Sequence, residues 1–333
     1  MKKYYKTEKY KNYNSKRAFY AIKKLQEKNY KNKSFVNKSD FINRITVDAP
    51  LIFSIVNNTQ ETLEFFENVE KIGYVKRQLF INIKQVKEIS PESILYLLLF
   101  LEKMRKANKI KISGNAPADE KCRKIFLNSG FYDFVDSSYQ TNADENILSI
   151  KSDNLVDGAV ADEVIEFALS KLPIKRGRMT RAFYTTVLEC MGNTKEWAYD
   201  SKTAKYAKWW LIAHYEKEFE RVRFSILDNG KGIPETVRKK LFESIFGFND
   251  SKILNSVLKG DFRTSTELNY RGKGLPKIMS FSESHLIKDL VVISNNGCYN
   301  SINNKYNDIS PKFNGTMISW SFVMGDDNEN ISA

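Results

Sequence analysis

Asp228-Asn229-Gly230-Lys231-Gly232-Ile233-Pro234 follows directly on an apolar stretch, Val222-Arg-Phe-Ser-Ile-Leu227. The apolar stretch predicts a strand, and the paired glycines predict a tight turn leaving it. A carboxylate at the mouth of such a turn can accept a hydrogen bond. Glycine there lets backbone approach a flat ring that a β-carbon would hold away. A second glycine pair, Gly272-Lys273-Gly274-Leu275, precedes a predicted helix from Pro276 to Phe281. The first amides of a helix lack partners and can hold phosphate. Upstream, 180–194 predicts a helix on which Phe183, Val187 and Met191 share one face. Glu189 and Asn193 lie one turn apart on that helix. Asn314-Gly315-Thr316 stands before a predicted strand, 316–323.

Each residue type suits one part of a nucleotide. Asp228 can accept from an adenine amino group, and Thr316 adds a hydroxyl beside it. The amide oxygen of Asn193 suits Mg²⁺, a hard cation that keeps waters and phosphates as its other ligands. Glu189 can orient and deprotonate a nucleophile attacking a γ-phosphate. Taken singly, each motif is also an ordinary turn or helix surface, so the order of the set carries the reading.

In this order the blocks resemble the GHKL ATPase superfamily, which includes gyrase, MutL, histidine kinases and anti-sigma-factor kinases. The resemblance covers about 156–325. It implies an α/β sandwich that binds ATP with Mg²⁺. Glu189 then matches the catalytic base and Asn193 the metal ligand. Asp228, Gly230, Gly232 and Ile233 match the adenine side. Gly272, Lys273, Gly274 and Leu275 match the phosphate side, and Thr316 matches the threonine of the last block. The stretch 234–270 corresponds to an ATP lid. Lys252, Lys259 and Arg263, together with Arg271 and Lys273, are its candidates for meeting phosphates, and a solvated charged loop is the alternative for them.

The first half reads differently. Strands are predicted at 44–48, 51–56, 78–83 and 109–113, and helices at 60–69, 91–104 and 118–129. This alternation over 41–136 predicts a small β/α domain. Phe80-Ile-Asn-Ile-Lys-Gln-Val86, Ile89-Ser-Pro-Glu-Ser-Ile-Leu95 and Cys122-Arg-Lys-Ile-Phe-Leu-Asn-Ser-Gly-Phe131 resemble a STAS domain, the fold of anti-anti-sigma factors. That family carries a phosphorylatable serine at the start of its second helix. Here Pro91 or Glu92 takes the place, so the resemblance does not extend to a phospho-switch. Glu92 can mimic a phosphate's charge or simply favour the helix N-terminus.

The fold class expected is therefore α/β: an N-terminal STAS-like domain followed by a GHKL-type α/β sandwich. Polar residues at 137–155 read as a linker or edge segment, and 326–333 as an acidic, polar tail. The net charge of +13 is concentrated at the start, where residues 1–40 hold 13 Lys or Arg against Glu8, Glu27 and Asp40. That basic arm, interleaved with tyrosines, could grip nucleic acid or could be a solvated or partner-docking segment. Cys122, Cys190 and Cys298 are widely spaced, as in reduced cytoplasmic proteins. No apolar run is long enough to span a bilayer, and the N-terminus has no secretory pattern. A cytoplasmic protein is expected.

Three roles stay open on this reading. The first is an ATP-driven conformational switch that hydrolyses ATP, coupled to a partner protein through the STAS-like domain. The second is a serine/threonine kinase of the anti-sigma-factor type, acting on a STAS partner. The third is an ATP-binding scaffold recruited to nucleic acid. Homodimerisation is compatible with the resembled families. A sensor histidine kinase is not expected, because His214 and His285 both lie outside a dimerisation helix preceding Glu189.

Overall fold

The computed structural model describes residues 44–75, 78–108, 110–137, 139, 141–196, 207–241, 247–261 and 273–323. Chain contacts separate Met1–Arg44 from Ile45–Ala333. The basic arm and the tail 326–333 lie outside the described residues.

The protein is a mixed α/β structure. In the first half, β1 (Ile45–Asp48), β3 (Gln78–Asn82) and β5 (Lys111–Gly114) form a parallel sheet in the order β1-β3-β5. A second parallel pair joins β2 (Ile52–Phe53) to β4 (Glu88–Ile89). Parallel neighbours need crossovers, supplied here by α1 (Thr59–Val75) and α2 (Pro91–Asn108). The next helix, α3 (Glu120–Asn128), starts at Asp119, whose carboxylate accepts from the Cys122 amide at 3.1 Å.

In the second half, β6 (Ile147–Asp153), β7 (Trp209–Glu216), β8 (Arg221–Asp228), β9 (Lys288–Asn300) and β10 (Lys305–Val323) form one antiparallel sheet. Its order is β6-β7-β8-β10-β9. Four helices cover one face: α4 (Gly158–Lys171), α5 (Arg178–Glu196), α7 (Asp250–Lys259) and α8 (Gly274–Glu283). The short α6 (Ile233–Leu241) leads out of the glycine turn after β8.

Alternation along each strand assigns its residues to two cores. Trp209, Leu211 and Ala213 join the helical core with Phe224, Ile318 and Trp320. Trp210, Ile212, Leu227, Val291 and Met317 belong to another core, continuous with Phe66, Tyr96 and Phe100 of the first half. α1 packs on β10, and α2 packs on β7 and β8. The apolar run Ile94–Leu101 is buried at every position, as a helix hydrophobic all round must be.

Of the two readings of 137–155, linker or edge segment, the structure shows the second: the stretch contains β6, the edge strand of the large sheet, paired with β7, so a domain boundary at 156 divides a strand from its partner. The described part of 234–270, the stretch that corresponds to an ATP lid, is largely helical. Helix α7 buries Ile253, Leu254 and Leu258, and is capped by Asn249, which accepts from the Lys252 amide at 3.1 Å.

The turn Ser90-Pro91-Glu92-Ser93 is internal. Ser93 Oγ accepts from the Ile55 amide at 2.8 Å and lies 3.0 Å from Ser90 Oγ. Glu92 is 1% exposed, and its Oε2 has no hydrogen-bond partner. Phosphorylation of Ser93 would require the fold to open.

Candidate functional site

The expected site residues that are described fall into two groups, one at the end of β8 and β10 and one where α5 meets the start of α8. Asp228 is the last residue of β8 and pairs across the ladder with Thr316 of β10. Its Oδ1 accepts from the Gly230 amide at 2.7 Å, and Thr316 donates to it from both backbone and side chain. Burial nevertheless pushes its pKa up from 3.8 to about 7, with these hydrogen bonds opposing the shift. Asp228 is thus a carboxyl poised near neutrality.

Glycine is required at Gly315. It adopts φ +96°, and a β-carbon there would overlap the Asp228 carbonyl oxygen. Gly232 adopts φ +87°, and a β-carbon there would lie 2.5 Å from the Asn295 amide. Two residues of β9 hold this turn. Ser294 Oγ accepts from the Ile233 amide at 2.8 Å and lies 3.0 Å from Thr316 Oγ1. Asn295 accepts from the Glu235 amide at 3.1 Å and donates to the Lys231 carbonyl at 2.9 Å. Sequence reasoning did not single out Ser294 or Asn295. Asn295 sits at φ +53°, and the Asn-Asn-Gly that begins with it was the available signal for a left-handed residue.

The helix residues meet the second glycine block. A β-carbon on Gly274 would lie 2.6 Å from Glu189 Oε2, so the carboxylate rests against the N-terminus of α8. That helix starts at Lys273, which makes no side-chain cap. Lys277 Nζ stands 3.9 Å from Glu189 Oε1. One turn along α5 from Glu189, the amide nitrogen of Asn193 is buried without a hydrogen-bond partner. Leu275 packs at the edge of the helical core. Gly272, Arg263 and Arg271 lie outside the described residues, while Lys252, Lys259 and Lys273 are exposed.

Cys190 links the two groups of residues. Burial raises its pKa well above the usual thiol value, and the charges of Glu189 and Asp228 add to the rise.

The residues fit a magnesium nucleotide on their own chemistry. The first amides of α8 carry no side-chain cap, Asp228 offers an acceptor at the end of β8, and Asn193, whose amide nitrogen is buried without a partner, also carries an amide oxygen of the kind that ligates Mg²⁺. Among the described residues no group of three His, Cys, Asp or Glu is placed to hold a metal ion. No helix among the described residues is long and apolar enough to cross a membrane. Comparison with protein-family models, curated proteins and solved structures finds no match to this chain.

Proposed function

We propose that this protein is a GHKL-type Mg²⁺-ATP-binding switch that hydrolyses ATP, with a STAS-like first half as its partner-binding module. One observation carries the reading: Glu189 lies against the uncapped N-terminus of α8 at Gly274, one helical turn along α5 from Asn193. A phosphate on the α8 amides would face the Glu189 carboxylate. A divalent cation on Asn193 would offset that repulsion, supplying charge neutralisation for the phosphates.

Each protein group then has a task. Asp228 accepts from the adenine amino group in its ionised form, while Thr316 and the Gly230 amide hold its carboxylate in place. Gly232, Ile233 and the turn fixed by Ser294 and Asn295 shape the adenine wall. Glu189 orients water and takes its proton. The buried Ser93 weighs against the kinase alternative acting on its own turn.

The test is calorimetry with ATP and Mg²⁺, followed by turnover with γ-labelled ATP. Asp228→Asn should weaken binding roughly 10- to 100-fold, the loss of a charged hydrogen bond. Glu189→Ala should keep binding and lower turnover by about 10²- to 10⁴-fold. Parent-rate turnover by Glu189→Ala would remove Glu189 from catalysis. Label appearing on protein instead of in free phosphate would turn the reading to a kinase.

A further inference from the structure

Asn314 and Gly315 precede Thr316, and every polar group of the Asn314 side chain is engaged by helix α2 of the first half. The Asn314 backbone amide donates to Tyr96 Oη at 3.1 Å, and its Nδ2 donates to the same oxygen at 3.3 Å. Its Oδ1 accepts from Lys103 Nζ at 3.5 Å, and Lys103 is itself paired to Glu70 of α1 at 2.8 Å. The Tyr96 ring is 1% exposed and stacks on Phe313, with centroids 4.4 Å apart and planes at 22°.

The other neighbour of Asp228 is held from the same helix. Asn229 exchanges hydrogen bonds with Lys208 just before β7: its Oδ1 accepts from the Lys208 amide at 3.0 Å, and its amide donates to the Lys208 carbonyl at 3.3 Å. Lys208 Nζ lies 3.9 Å from Glu102 of α2 and 5.0 Å from the centre of the Trp210 ring. Asp228 therefore stands between two backbone segments, and α2 reaches both. Gly315 allows no slack on its side, because a β-carbon there would overlap the Asp228 carbonyl oxygen.

We infer that Tyr96, a residue of the first half, is a positioning residue for the nucleotide site: through Asn314 and Gly315 it sets the register of Thr316 on Asp228. This rests on the nucleotide reading above. Its consequence is coupling in both directions. A partner that shifts α2 changes ATP affinity, and ATP changes the hold of α2 on Asn314 by the same factor.

The full chain tests this by calorimetric titration with ATP and Mg²⁺. Tyr96→Phe keeps the ring on Phe313 and removes only the hydroxyl. It should weaken ATP binding about 3- to 10-fold, the size expected for lost neutral hydrogen bonds. Leu98→Ala, a buried change on the same helix, should lower the melting temperature and leave ATP affinity at the parent value. In the parent protein, ATP should slow hydrogen exchange at the Asn314 amide, and Tyr96→Phe should abolish that slowing. Equal affinity of parent and Tyr96→Phe overturns the inference and leaves the nucleotide reading standing. Equal weakening by Leu98→Ala also overturns it, since the effect would then be general loosening. A parent protein that binds no ATP sinks the nucleotide reading, and this inference with it.

Discussion

The two faces of the five-stranded sheet are equally dry and yet unequal in what they do. On one face Trp209, Leu211 and Ala213 meet α4, α5, α7 and α8, and the helices that supply Glu189 and Gly274 lie on this side. On the other face Trp210, Ile212 and Met317 meet the first half of the chain, and no expected site residue projects there. The second face instead reaches the site from behind, through Tyr96 and Asn314. Antiparallel sheets commonly leave one face wet. This one does not: Trp209–Ala213 of β7 and Leu290–Ile293 of β9 are unbroken apolar runs, and two halves that look separable share a core.

The largest test of this comparison replaces one tryptophan on each face. Trp209 and Trp210 are each 1% exposed. Trp209→Ala and Trp210→Ala should each cost about 3–5 kcal/mol. If the halves fold as one unit, urea denaturation stays a single transition in both variants. Two resolved transitions in Trp210→Ala alone would show that its face is a weak interface between independent units. Next in size is Gly315→Ala, which strains a left-handed backbone and pushes on the Asp228 carbonyl; it should cost about 1–3 kcal/mol of stability and abolish the titration described next. A variant of parental stability would show that β10 can move away from β8 at this point.

The smallest effect sharpens the comparison by pH. Burial raises the Asp228 pKa from 3.8 to about 7. The folded chain thus keeps a proton that the unfolded chain releases, and this group's contribution to stability falls as pH rises from about 4 to about 7, then levels off. Binding runs the other way, because the ionised carboxylate is the acceptor: ATP affinity should rise several-fold from pH 6 to pH 8. Asp228→Asn should flatten both dependences, as followed by urea midpoints and calorimetry. A parent affinity that does not change over that range would mean that Asp228 is already fully ionised.

Local signals made much of this legible. The glycine pairs, Pro91 and the apolar spacing of α5 placed elements close to their observed positions, because turns and helix faces depend on residues near in sequence. What escaped depends on distant partners. β6 is polar at its end and pairs only along one side, so its residues leave linker and edge segment undecided until β7 lies beside them. The β9–β10 hairpin runs through Asn, Lys and Ser residues that form a ladder despite weak strand propensity. Ser294 and Asn295 acquire their roles only when β9 lies beside the turn after β8. The run Ile94–Leu101 was plain in the sequence, but that it packs on β7 and β8 was not.

The shared core dictates where the polypeptide tolerates division. A fragment beginning at 156 would lack β6 and expose Trp210, Ile212, Leu227, Val291, Ile293 and Met317 as one greasy slab, next to an unpaired edge at β7. Such surfaces drive aggregation. Attempts to isolate the second half for biochemistry would therefore yield inclusion bodies.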